Sequence, residues 1–244
     1  MRDDHISGVN GVGLPRERPL VSVDLAIFSV RERKLHVLLV QRPTDAAEPF
    51  PSAWALPGGF VDVSEDADLA ACAGRKLNEK TGIASPYLEQ IGSWGSAARD
   101  PRGWSATHAY MALTPDLAPL EKGANAADVE WVPIVGEGVR RALAFDHDEI
   151  LAAAVNRLRS KVEYTSLPTY LLPKEFTLSD LQAVYEIVLG RKLEKSAFRT
   201  RIMAADVVES VPRVRRGPNR PARLYRLKRR KRPVYFVRTF NPPK

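Results

Sequence analysis

Residues 56–83 read LPGGFVDVSEDADLAACAGRKLNEKTGI. Gly58-Gly59 is a tight turn, a place where backbone can approach a neighbour closely because neither residue carries a Cβ. The stretch ADLAACAGRKLNEK (67–80) then has helical character, and Thr81-Gly82 stops it as a C-cap glycine does. On the N-terminal side lie two β-branched, apolar runs, VSVDLAIFSV (21–30) and KLHVLLVQR (34–42), separated by a charged RER turn and expected to pair as strands. A Pro-rich loop to Phe50 leads back to the glycines. On the C-terminal side LEQIGSW (88–94) and ATHAYMAL (106–113) are expected strands, joined by the loop AARDPRG. Asp146 opens a second helix, with Glu149 three residues on as its capping partner. Ile150, Leu151, Ala154, Val155, Leu158 and Val162 form its apolar stripe.

Beyond that helix the chain changes character. YTSLPTYLLPKEF (164–176) holds Pro168 and Pro173 and coincides with a charge changeover, which places a linker at 166–175. Residues 1–170 carry 18 basic and 23 acidic side chains, whereas 171–244 carry 19 basic and 6 acidic. A half with a net charge of +13 seeks a polyanion, most often nucleic acid; the other reading is a solvated basic tail. Thr177 is expected to cap a helix whose Leu181, Val184, Tyr185 and Val188 face a core, ending at Gly190. A further helix, KSAFRTRIMAA (195–205), buries Phe198 and Ile202 and presents Ser196, Arg199, Thr200 and Met203 on the opposite face. VVESVPRVRR and ARLYRL flank GPNRP as a basic hairpin. Helix, helix, basic hairpin is the order of a winged helix-turn-helix. KRRKR (228–232) reads as a phosphate patch or a solvated tail, and PVYFVRTF as a short strand at a domain edge.

Composition excludes several classes. The 244 residues allow two modest domains. The single cysteine, Cys72, forms no intramolecular disulfide and is expected in the core, and the four histidines show no zinc spacing. No apolar run reaches membrane-spanning length, and the start MRDDHISGVNGVG lacks a signal-peptide pattern. A cytoplasmic setting without membrane contact is expected.

The stretch at 58–83 resembles the Nudix box, G-x5-E-x7-R-E-U-x-E-E-x-G-U with U apolar. Gly59, Glu65, Arg75, Leu77, Glu79, Gly82 and Ile83 match. The chain departs from the pattern in two ways: nine residues separate Glu65 from Arg75, and Lys76 and Lys80 replace two glutamates. Positions 76, 79 and 80 share one helical face. In the family that face offers carboxylates to Mg²⁺, which bridges a pyrophosphate; two ammonium groups there oppose a divalent ion and suit a diphosphate directly, or else are simply solvated charges. Arg99 and Arg102 in the RDPRG loop, and Arg42 at the end of a strand, are further phosphate candidates, since the guanidinium fork donates two parallel hydrogen bonds. Trp54, Phe60, Trp94 and Trp104 are candidates to stack a base.

Taken with the basic half, the chain is similar to the Nudix-related transcriptional regulators of NAD metabolism from about residue 20 to 227. The resemblance implies an α/β (α+β) fold: a Nudix α/β/α sandwich with a mixed sheet, then a small winged helix-turn-helix. The first residues, rich in Gly, Arg and Asp, read as a flexible arm over 1–19; the resemblance implies a Nudix-like effector-sensing and dimerisation domain over 20–165 and a DNA-binding domain with basic tail over 176–244. The expected protein is a homodimeric repressor that binds a palindromic double-stranded DNA operator and senses ADP-ribose or a related nucleotide, with no required cofactor. Expected ligand residues are Arg42, Gly58, Gly59, Phe60, Lys76, Glu79, Lys80, Arg99 and Arg102. Expected DNA residues are Lys195, Ser196, Arg199 and Thr200 from the helix at 195–205 and Arg215, Arg216, Arg220 and Arg223 from the wing. An alternative is an active Mg²⁺-dependent hydrolase with Glu65, Asp66 and Glu79 as metal ligands and Arg75 beside them; a third reading is an RNA-binding protein.

Overall fold

The computed structural model describes residues 18–82, 87–115, 127–216, 221–228 and 233–236. Most of the arm, Arg220, the run 229–232 and the side chain of Lys80 lie outside the described residues. Strands β1 (Leu20–Arg31) and β2 (Lys34–Gln41) form the antiparallel pair expected around the RER turn. Two short strands, β3 (Trp54–Ala55) and β4 (Gly58–Phe60), bracket Pro57 and pair with β2 and β1 respectively. Strands β5 (Tyr87–Ser96) and β6 (Ser105–Leu113) follow, then β7 (Asp128–Pro133), which lines up on β2. The only parallel pairing among the described strands is β1 with β6, so the sheet is mixed.

Both faces of this sheet are covered, and the period of two along β1 shows how. Val23, Leu25 and Ile27 point to helix α1 (Leu69–Thr81), where Cys72, Ala73 and Leu77 complete a buried cluster. Ala26 and Phe28 point the other way, to helix α2 (His147–Val162), whose expected stripe is buried throughout. The result is the α/β/α sandwich. Helix α1 starts after Asp68, whose carboxylate accepts from the Ala71 amide at 2.7 Å, and ends at Gly82 in the left-handed region with φ 65°.

One cap differs from expectation. Asp146 stands at the start of α2 but makes no side-chain cap bond, because its carboxylate is taken by Arg99 from the β5–β6 loop. The segment expected as a linker also differs. Residues Leu167–Leu171 form a buried 3-10 helix, and the larger core runs without a break from the sheet through Leu167 and Tyr170 into the second half. Apolar side chains, more than solvated chain, join the halves.

In that half, helix α3 (Leu178–Leu189) carries a reciprocal capping box between Thr177 and Asp180 and ends at Gly190. Helix α4 (Lys195–Ala204) buries Phe198 and Ile202 as expected. Strands β8 (Val208–Arg215) and β9 (Ala222–Leu227) form the antiparallel wing, with an isolated antiparallel bridge from Phe176 to Tyr225. No helix among the described residues is long and apolar enough to cross a membrane.

Candidate functional site

The glycine turn is held against β1, where Gly58 sits opposite Asp24 and Gly59 opposite Val23. A Cβ on Gly58 would stand 2.3 Å from Asp24 Oδ1 and 2.4 Å from the Val23 carbonyl oxygen, so only glycine fits. A Cβ on Gly59 would stand 3.0 Å from Lys76 Cε and 3.2 Å from its Nζ. The Lys76 ammonium thus lies directly over the glycine backbone, on the helix face that the box pattern reserves for carboxylates.

The acidic remnants of the box gather around Arg75. Its guanidinium donates to both oxygens of Asp66, at 2.8 and 2.6 Å, and from Nη1 to Glu79 Oε1 at 2.8 Å. The other Glu79 oxygen receives Lys76 Nζ at 3.4 Å, and Glu65 lies 3.6 Å from Arg75 Nε. Arg75 holds the Asp66 carboxyl well below the usual range. Burial alone would raise Glu79, but Arg75 and Lys76 outweigh it and keep that carboxyl low. Among the described residues no three His, Cys, Asp or Glu side chains are grouped as a metal would need. With both oxygens of Glu79 and of Asp66 already bound to cations, these residues do not fit the octahedral oxygen cage of Mg²⁺. Cys72, just beneath, has its thiol pushed up to about 12 by burial and by Asp66, so it stays protonated and inert.

The opposite side of the turn brings Arg42 and Arg102 together. Arg42 donates to the Pro49 carbonyl at 2.7 Å and to Glu48 Oε2 at 3.1 Å, and Arg102 reaches the same Glu48 oxygen at 4.0 Å. Arg102 is braced by two bonds to Asp100, at 3.0 and 2.7 Å, and its guanidinium lies 5.0 Å from the centre of the exposed Phe60 ring. Arg42 lies over Phe145 at 4.9 Å. A row of contacts therefore runs from Lys76 over Gly59 to Phe60, Arg102, Glu48, Arg42 and Phe145. Cations and aromatic faces alternate along it, and Glu48 is the carboxylate shared between the two arginines.

Arg99 is placed elsewhere. Its side chain is 5 % exposed, bound to Asp146 through two bonds of 2.8 and 2.7 Å, with Asp24 Oδ2 at 3.5 Å. These contacts tie the loop arginine, expected at phosphate, to the start of α2. His147 Nδ1 accepts the Leu56 amide at 2.9 Å, which leaves Nε2 to carry the ring proton toward Asp24 at 3.4 Å. Asp24, Glu48, Phe145 and His147 gave no sequence signal, since each acquires its role through a partner distant in the chain. Trp54 packs under Arg141, Trp94 is half-buried, and Trp104 is exposed beside Gly95.

In the basic half, Lys195, Ser196, Arg199 and Thr200 are all exposed on α4, whose first turn is capped by Glu194 through the Ser196 and Ala197 amides. Arg216 and Arg223 are exposed on the wing. Arg215 is tied to Asp180 at 2.8 Å, linking the end of β8 to the first turn of α3.

A mixed-sheet sandwich bearing a glycine turn and a box helix, fused to two helices and a basic wing, defines a Nudix domain joined to a winged-helix DNA-binding domain. The NUDIX domain profile matches residues 19–154, and the NrtR DNA-binding winged helix domain profile matches residues 168–227. The chain belongs to the NrtR family of Nudix-related transcriptional regulators. It is 50% identical over 208 residues to the ADPR responsive transcriptional repressor NtrR of Acinetobacter baylyi, covering 85% of this chain and 82% of that one. The crystal structure of Shewanella oneidensis NrtR complexed with a 27mer DNA is similar at TM-score 0.75 and 37% identity, over 85% of this chain and 93% of that chain. The NUDIX domain of Shewanella oneidensis NrtR complexed with ADP ribose is similar at TM-score 0.54 and 38% identity, over 61% and 94%.

Proposed function

We infer that this chain is a transcriptional repressor that binds double-stranded DNA through its winged helix and responds to ADP-ribose, or a closely related nucleotide, bound in the Nudix cleft without hydrolysing it. The observation that carries the non-hydrolytic reading is the Glu79 carboxylate, held between Arg75 and Lys76 beside an ammonium group seated over Gly59. A diphosphate placed there meets fixed positive charge in place of a metal, and among the described side chains of the helix Glu79, the candidate to activate water, is held by cations. No cofactor is required. Residues 20–165 form the sensing and dimerising half, 166–175 the junction, and 176–244 the DNA-binding half.

Lys76, Gly58, Gly59, Arg42 and Arg102 hold the diphosphate, with its oxygens displacing Glu48 from the two arginines. Phe60 offers an open face for the adenine. Arg99 acts behind them as a brace. On DNA, Ser196, Arg199 and Thr200 enter the major groove from α4, with Lys195 beside them, while Arg216 and Arg223 contact phosphates from the wing. A homodimer in the cytoplasm presents two such helices to a palindromic operator. Ligand shifts operator occupancy only to the extent that it binds one arrangement of the helices more tightly than the other.

The test is titration of a labelled promoter fragment with ADP-ribose and NAD, each with EDTA and with Mg²⁺. Metal-independent binding that changes operator occupancy is expected. Rapid Glu79-dependent cleavage of ADP-ribose in Mg²⁺ contradicts the non-hydrolytic reading, and equal affinity for random DNA or RNA contradicts the operator reading.

A further inference from the structure

Four successive residues at the end of α2 each receive a bond from the DNA-binding half. The Glu163 carbonyl accepts from Arg201 of α4 at 3.1 Å, and the Tyr164 carbonyl from the Phe236 amide at 2.8 Å. The Thr165 carbonyl accepts from the buried Tyr185 hydroxyl of α3 at 2.7 Å. Ser166 gives its amide to the Val234 carbonyl and takes the Val234 amide on its hydroxyl, both at 2.9 Å. Residues 233–236 lie beyond the span matched by the winged-helix profile, which ends at residue 227. They return across the junction as a short antiparallel strap, with a single bridge from Tyr235 to Thr165 and the Tyr164 and Tyr235 rings stacked at 6.0 Å.

The strap reaches α4 through one side chain. Phe236 is buried, and the Arg201 guanidinium lies 4.8 Å above its ring while donating to Glu163. Helix α4 is ten residues long and buries only Phe198 and Ile202, so its own packing leaves rotation about its axis weakly determined. A guanidinium that stacks and donates at once fixes that rotation in a way an ammonium cannot, because a point charge has no plane. Between Phe236, Arg201, Tyr185 and Phe198 a cavity of about 160 Å³ remains, so this side of α4 is not filled by packing alone.

We propose that residues 233–236 are a clasp that sets the orientation of α4 against the effector half, with Arg201 as the positioning residue through which the end of α2 holds the DNA-reading helix. Arg201 is itself exposed on α4, and it reaches the junction through its bond to Glu163 and its contact with Phe236.

Nitroxide labels on Asn156→Cys of α2 and Met203→Cys of α4, both exposed positions, report the distance between the helices in chain diluted with unlabelled protein. The buried thiol of Cys72 does not compete for label. A narrow distribution is expected for the wild type, and one at least about twofold broader for Arg201→Lys, which keeps the charge but loses plane and fork. Phe236→Ala, with no change of charge, should broaden it as well. A wild-type centre and width in Arg201→Lys overturns the proposal. Its regulatory consequence rests on the functional reading above and is measured separately: the ratio of operator Kd with and without ADP-ribose should fall at least threefold toward unity in Arg201→Lys, with ligand affinity unchanged. Failure of ADP-ribose to affect DNA binding by the wild type counts against that functional reading, while the distance result still decides the clasp.

Discussion

Arg99 and Asp146 stand 47 positions apart in the chain and meet through two parallel hydrogen bonds, Nε to Oδ2 at 2.8 Å and Nη2 to Oδ1 at 2.7 Å. The pair fastens the β5–β6 loop to the start of α2. Arg99→Met leaves Asp146 without its cation and removes one of the partners of the buried Asp24. Breaking a buried pair from one side costs about 3–5 kcal/mol, and the partial exposure of Asp146 places this one at the lower end. Urea unfolding should show a loss of about 3 kcal/mol; a loss below about 1 kcal/mol contradicts the bracing role.

Asp24 makes the fold sensitive to acid. Burial raises its carboxyl, but His147, Thr107 and Arg99 more than offset this, leaving it below the ordinary 3.8. A carboxyl depressed in the folded state stabilises the protein above its unfolded value, and that contribution disappears as pH falls toward the folded value. Urea midpoints should therefore decline as pH drops below about 4, and Asp24→Asn should flatten the decline. An identical pH profile in the variant removes Asp24 as a cause.

Gly58→Ala tests how closely the turn is pressed on β1. The added methyl would meet the Val23 carbonyl at 2.4 Å, a backbone atom that cannot swing away. Overpacking of this kind costs about 1–3 kcal/mol. The melting temperature should fall and calorimetric ADP-ribose binding should weaken at least tenfold, because the displaced loop carries Gly59 and Phe60. Unchanged ligand affinity would remove the turn from the site.

On DNA, gripping and reading separate by salt. Arg216→Ala or Arg223→Ala, each removing one phosphate contact, should lower the slope of log K against log salt by about one, with sequence preference unchanged. Arg199→Ala should cost about 1–3 kcal/mol of discrimination between operator and a single-base variant. Competition anisotropy at several salt concentrations measures both. A wing variant that relaxes specificity would reverse the assignment.

Much of this molecule is written locally. The helix over the box announces itself by Gly82, and α3 by Thr177 and its apolar stripe, because caps and helical faces depend on neighbours within four positions. The wing likewise follows from two basic runs that flank GPNRP in the sequence. What local reading misses is set by distant partners. Asp146 has a cap residue's identity, yet its carboxylate goes to Arg99 across the sheet. Arg99 looks like a free loop cation and is buried, while Glu48, an ordinary loop acid by sequence, joins Arg42 to Arg102. The prolines at 168 and 173 suggest a loose connector, but Leu167, Tyr170 and Leu171 between and beside them are drawn into the shared core. The lysine substitutions in the box were legible as charges. That Lys76 lies over Gly59 depends on how α1 packs against β4, which no spacing reveals.

Operator binding measured by anisotropy with ADP-ribose added in excess EDTA tests the central claim most directly, with the nucleotide recovered afterwards and examined for cleavage. The account predicts a shift in operator affinity of at least fivefold and intact ADP-ribose at the end. No shift until Mg²⁺ is supplied, followed by conversion of ADP-ribose to AMP and ribose phosphate, would contradict it.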